Sequence, residues 1–138
     1  MARTLITVLV ALHFAIVVVH GSAHTALAVG LPPAKNAFVL AVIIIAPVVA
    51  AALVWTRYAI AGIWLFFASM LGAFLFGAYH HFVMVSPDHI AHLPPGDPGV
   101  QSSFVLTAIG LALVELGSTV YAAFAVRTYV TVARTTSG

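Results

Sequence analysis

Residues 59–85 read AIAGIWLFFASMLGAFLFGAYHHFVMV, a run without a single Asp, Glu, Lys or Arg. About 20 apolar residues in a helix span the hydrocarbon core of a bilayer, so this stretch alone predicts a membrane-crossing helix. Three more runs flank it. Residues 5–29 are interrupted only by Thr7, His13, His20, Gly21, Ser22, His24 and Thr25; residues 37–55 carry no charge; and residues 104–126 hold Glu115 near their centre. The expectation is an all-α polytopic membrane protein, a four-helix transmembrane bundle forming a single domain over residues 1–138. Its helices are placed at about 4–29, 37–56, 59–85 and 103–128, with an outer loop at 86–102.

Composition points the same way. Of 138 residues, 63% are hydrophobic and 6% charged, against about 25% charged in an ordinary soluble domain, which leaves too little polar surface to wrap a water-soluble core. A transmembrane β-barrel needs strands of about ten residues that alternate apolar and polar, and these runs are twice that length without alternation. The five basic residues are scattered, which excludes nucleic acid as a partner. Cysteine is absent, which excludes disulfides, thiolate metal sites, iron–sulfur clusters and a cysteine nucleophile. Seven histidines against three acids is the anomaly of the chain.

Proline and glycine mark the connections. Gly30-Leu31-Pro32-Pro33 separates the first two runs, and residues 86–99 form the only extended polar stretch. Gly21-Ser22-Ala23 imitates a signal-peptide cleavage site, but the apolar run continues past it, so the first helix is read as retained. Pro47 is expected to kink the second helix unless neighbours satisfy the carbonyl it frees. Small residues at Ser69, Ala73 and Gly77, and at Ala108, Ala112, Ser118, Thr119 and Ala122, are read as stripes for close helix approach.

Basic residues set the expected orientation. Four crossings put both termini on one side, which collects Arg3, Arg57, Arg127 and Arg134 and leaves Lys35 on the other. The chain is therefore expected in an inner or plasma membrane with its termini cytoplasmic and the histidine-bearing loop outside.

His20 and His24 lie four apart, on one helical face, the spacing by which one helix offers two ligands to one metal. His80 and His81 are adjacent, hence about 100° apart, and both turn inward only if the helix loosens there. His89 and His92 follow in the outer loop beside Asp88. Counted at about 1.5 Å per residue from the outer helix ends, His24 lies roughly 9 Å deep, His20 roughly 15 Å, His80 and His81 roughly 6 to 8 Å, and Glu115 roughly 18 Å. His20, His24, His80, His81, His89 and His92 thus converge on the outer half of the bundle as candidate metal ligands, with Asp88 and Glu115 as carboxylate ligands, orienters or proton carriers. His13, deeper still, is read as a hydrogen-bonding residue between helices.

Imidazoles and carboxylates without thiolate suit copper or iron, with zinc possible, and Met70 or Met84 is available as a soft thioether donor. A haem b held by one histidine from each of two helices is the alternative cofactor, and a quinol pocket using Glu115 needs no metal. His20-x3-His24 is similar to one histidine box of the membrane fatty-acid hydroxylases and desaturases, whereas the order at His80-His81 departs from theirs. Two function classes remain open on the sequence. One is a membrane metal-dependent oxidoreductase, of redox or oxygenase type, acting on a lipophilic substrate. The other is an accessory subunit of a larger membrane redox complex, binding haem or quinol. Expected partners are the lipid bilayer, a lipophilic substrate or quinol, and other membrane subunits or further copies of the chain.

Overall fold

The computed structural model describes residues 2–136, with side chains described as far as Thr128. Met1, residues 137–138 and the side chain of Arg134 fall outside the described residues. Every regular element among the described residues is helical. Four helices are long and apolar enough to cross a membrane: α1 (Ala2–Ala26), α2 (Pro33–Leu53), α3 (Ala59–Val83) and α4, which runs Pro98–Thr136 with its apolar part at Pro98–Thr128. Each helix packs on its neighbours in sequence, and α4 closes the ring against α1.

Two apolar cores show that successive helices run antiparallel. At one end Ile6 and Val10 of α1 meet Ala50 of α2 and Val54 just after it, Ile63, Phe66 and Met70 of α3, and Ala122 and Val126 of α4. At the other end Ala23, Leu27, Val29 and Phe104 cluster, and Ile90, Leu93 and Val100 fold over them from the loop and the start of α4. Outward faces carry Leu12, Val18, Leu40, Trp64, Leu75, Leu106 and Leu113, all exposed. An apolar exterior of this kind is what a lipid-facing bundle presents.

Local chemistry shapes the helix ends that matter for the site. α1 stops in a paired 6→1 and 5→2 arrangement: Val29 N–H donates to His24 O at 3.0 Å and Ala28 N–H to Thr25 O at 3.2 Å. Ala28 takes a left-handed conformation, φ 52°, where glycine is the usual residue. This turn folds the Val29 carbonyl back onto the His24 ring. Within α2, residues Val39–Ile45 are π-helical, and Ala46 N–H reaches Ala41 O. The wide turn immediately precedes Pro47 and accommodates the missing donor there.

α3 also ends in a π turn, Tyr79–Val83, closed by Met84 N–H donating to Tyr79 O at 2.8 Å. That is the loosening that two adjacent inward histidines require, and both His80 and His81 are buried. α4 begins at Pro98, earlier than its apolar run suggests, because Asp97 caps it. Asp97 Oδ1 accepts from Gly99 N–H at 2.8 Å and Val100 N–H at 3.1 Å, and Pro98 needs no partner in the first turn. The expected loop 86–102 is correspondingly shorter.

Candidate metal centre

The closing turns of α1 and α3 and the first turns of α4 bring three imidazoles together. One nitrogen from each of His20, His24 and His81 lies within 4.8 Å of the others. Phe104, fully buried, packs against all three rings at centroid distances of 4.7, 4.8 and 5.4 Å.

Hydrogen-bond partners fix which nitrogens face inward. His81 Nδ1 stands 2.9 Å from the Asp88 carbonyl oxygen, which can only accept, so Nδ1 carries a hydrogen and Nε2 is the nitrogen left to act as a ligand in the neutral ring. His24 Nδ1 stands 3.1 Å from the Val29 carbonyl oxygen, with the same consequence. His20 Nδ1 lies 2.9 Å from Thr107 Oγ1, and that hydroxyl donates its one hydrogen to Ser103 O at 2.6 Å. Thr107 then accepts from His20 Nδ1–H, which frees His20 Nε2 as well. All three Nδ1 positions are tied to the frame, the outer-sphere pattern by which metal-bound histidines are oriented.

The freed nitrogens meet at metal-binding spacing. His20 Nε2 and His81 Nε2 are 3.2 Å apart. Two nitrogens at about 2.0–2.1 Å from one tetrahedral ion stand roughly 3.3 Å apart. Since His81 contributes a lone pair, the space between the two atoms calls for a single hydrogen or a shared cation.

Asp88 adds a carboxylate at the rim. Its Oδ1 is buried without a hydrogen-bond partner, although it lies 3.3 Å from both His24 Nε2 and His81 Nδ1. A buried carboxylate oxygen without a well-formed hydrogen bond is costly, and a cation beside it, a metal ion or a proton on His24 Nε2, relieves that cost. Burial alone would raise the Asp88 carboxyl, but the adjacent His81 side chain and the fields of the imidazoles outweigh it and hold the group below its usual value. The donor set of three imidazoles and one carboxylate oxygen fits copper, iron or zinc by ligand type.

The remaining candidates are placed elsewhere. His80 Nδ1–H donates to Phe76 O at 2.8 Å, and its ring packs between Phe76 and Tyr79, outside the trio. His89 and His92 pack against each other in the loop, ring centroids 4.9 Å apart and tilted by 49°, and His89 Nδ1 accepts from Ala91 N–H. Glu115 lies deeper and accepts from His13 Nε2–H at 3.0 Å, both buried. Met70 sits in the core at the opposite end, and Met84 lines a shallow recess that Asp88 shares.

Sequence reasoning passed over Thr107, Phe104 and the Val29 carbonyl. Thr107 and Phe104 carry no distinguishing pattern in an apolar helix, and Val29 acts only through its backbone.

A cavity of about 460 Å3 extends from the trio and Asp88 down to Glu115. Ala73, Gly77, Ala108 and Ala112 are among its lining residues, so in the half of the bundle that holds the trio these small side chains leave space. Lower down, Ser69 and Ala122 are packed and buried. Comparison with protein-family models, curated proteins and solved structures returns no match.

Proposed function

We propose that this chain is an integral membrane metalloprotein whose His20, His24 and His81 hold one copper or iron ion at the outer end of a four-helix transmembrane bundle. Asp88 is its carboxylate ligand or orienter, and the cavity beneath is its substrate chamber. The carrying observation is that one nitrogen from each of His20, His24 and His81 lies within 4.8 Å of the others while each ring's Nδ1 is tied to the frame. A redox or oxygenase-type reaction on a lipophilic substrate is the chemistry that such an imidazole-rich site inside an apolar chamber would support. Arg3, Arg57 and Arg127 at the opposite end support a cytoplasmic location for the termini, with the metal end outside.

A haem slotted between His20 and His81 fits less well. Its axial nitrogens would stand about 4 Å apart, twice a metal–nitrogen bond of about 2 Å, whereas these two are 3.2 Å apart. An accessory, quinol-binding subunit is the second reading, and the observation that favours it is the reach of the cavity to Glu115.

The test is elemental analysis and a visible spectrum of detergent-purified protein loaded separately with copper, iron and zinc. Wild type should retain one ion per chain without a Soret band. His20→Ala, His24→Ala and His81→Ala should each lose it. Retention in all three variants would remove the metal reading, and a Soret band would replace it with haem.

A further inference from the structure

The inner end of the cavity is a second polar site, separate from the three histidines. Glu115 is 3% exposed and lines the cavity. Its Oε1 is engaged by His13, while Oε2 points toward Gly77. A β-carbon at residue 77 would stand 3.8 Å from Glu115 Oε2 and 3.8 Å from His81 Cδ2. The missing side chain therefore leaves a methyl-sized space between the carboxylate and the imidazole trio, continuous with the cavity of about 460 Å3. Val17, Val39, Ile43, Phe76 and Leu111 give the walls between the two ends an apolar character.

The mouth of this chamber lies at the seam of α1 and α2, which pack more thinly than the other neighbouring pairs. Gly21, Thr25, Ala28 and Asn36 line it and are exposed. At Gly21 an added β-carbon would meet nothing within 4 Å. Gly21 lies within the span of α1, so this seam would face lipid in a bilayer and suits a lipid-soluble ligand. A plain hydrocarbon would leave the inner carboxylate oxygen without a donor in an apolar chamber, and an anion would be repelled by it. An apolar molecule with a hydroxyl group, small enough for about 460 Å3, satisfies the apolar walls and the carboxylate oxygen together.

We propose that the chamber binds a phenol- or quinol-class ligand whose hydroxyl donates to Glu115 Oε2, with its ring in the apolar cavity against Gly77. His13 is a positioning residue that holds Glu115 toward the chamber. The inference rests on the proposed metal centre only for what the ligand's other end faces. Binding at Glu115 is a property of the metal-free chain as well.

The experiment titrates 4-hexylphenol and its methyl ether, 4-hexylanisole, into the full chain in nanodiscs by calorimetry, with empty nanodiscs as the blank. Metal-free and metal-loaded samples are run in parallel and their metal content is measured. Saturable phenol binding at least tenfold tighter than the ether is expected in both forms. Glu115→Gln should abolish that selectivity. Gly77→Ala, whose methyl stands at ordinary contact distance and so leaves the fold intact, should weaken phenol binding at least tenfold while metal content stays at the wild-type level. Equal binding of phenol and ether, or full phenol binding in Gly77→Ala, overturns the ligand site whatever the metal result. Phenol selectivity in a chain that retains no metal upholds the ligand site and removes the metal centre alone.

Discussion

Thr107→Val removes one hydroxyl and little volume, and it bears directly on how His20 is held. With an ion on Nε2, His20 Nδ1 must carry its hydrogen, and Thr107 Oγ1 at 2.9 Å is its acceptor. In the valine variant that N–H is left buried without a partner, at a cost of about 1–3 kcal/mol. At about 1.4 kcal/mol per factor of ten, metal affinity should fall roughly 10- to 100-fold, the range found when outer-sphere partners of metal-bound histidines are removed. The helix should be unharmed, because the hydroxyl's own donation goes to Ser103 O and Phe104 O within α4. Thr107→Ser, which keeps the oxygen, should bind metal within a few-fold of wild type. Competition against a chromogenic chelator in detergent measures all three proteins. An affinity unchanged in Thr107→Val would refute the assignment of the His20 tautomer and with it the convergence of three lone pairs.

Three further expectations concern the rest of the site and its frame. His80→Ala, and separately the His89→Ala and His92→Ala pair, should retain one ion per chain by elemental analysis, since His80 is tied to Phe76 O and the loop pair packs on itself. Ala28→Gly should raise stability by about 1 kcal/mol in chemical denaturation, because a left-handed conformation costs a residue with a β-carbon about 1–2 kcal/mol and Ala28 has φ 52°. The Asp88 carboxyl is held below its usual value. Its contribution to stability is therefore complete above the unfolded value of about 3.9 and is lost as pH falls through the lower folded value. Asp88→Asn should remove that part of the acid unfolding limb, and an unchanged limb below about pH 4 would refute it.

The bundle was legible because uncharged runs such as residues 37–55 and 59–85 leave no alternative to apolar helices. The start of α4 was not, since the density of proline and glycine between residues 86 and 99 reads as loop. The dipeptide Asp97-Pro98 is nevertheless a helix start, with a side-chain cap and a residue that lacks the donor. That shift of five residues, at about 1.5 Å each, places Glu115 about 7 Å further along its helix than a count from Ser103. It helps explain why Glu115 meets His13 rather than the outer histidines.

His20 and His24 were readable as a pair from their spacing. The choice between His80 and His81 depends on a π turn, Tyr79–Val83, which two adjacent histidines require but do not locate. The fixing of His24 and His81 by the carbonyls of Val29 and Asp88 is a backbone effect. No side-chain pattern encodes it.

X-ray absorption at the metal edge of the loaded, detergent-solubilised chain tests the proposed centre most directly. The predicted spectrum has three imidazole scatterers at about 2.0–2.1 Å, falling to two in His24→Ala. A spectrum with oxygen donors and one or no imidazole, unchanged in His24→Ala, would contradict a site built from His20, His24 and His81.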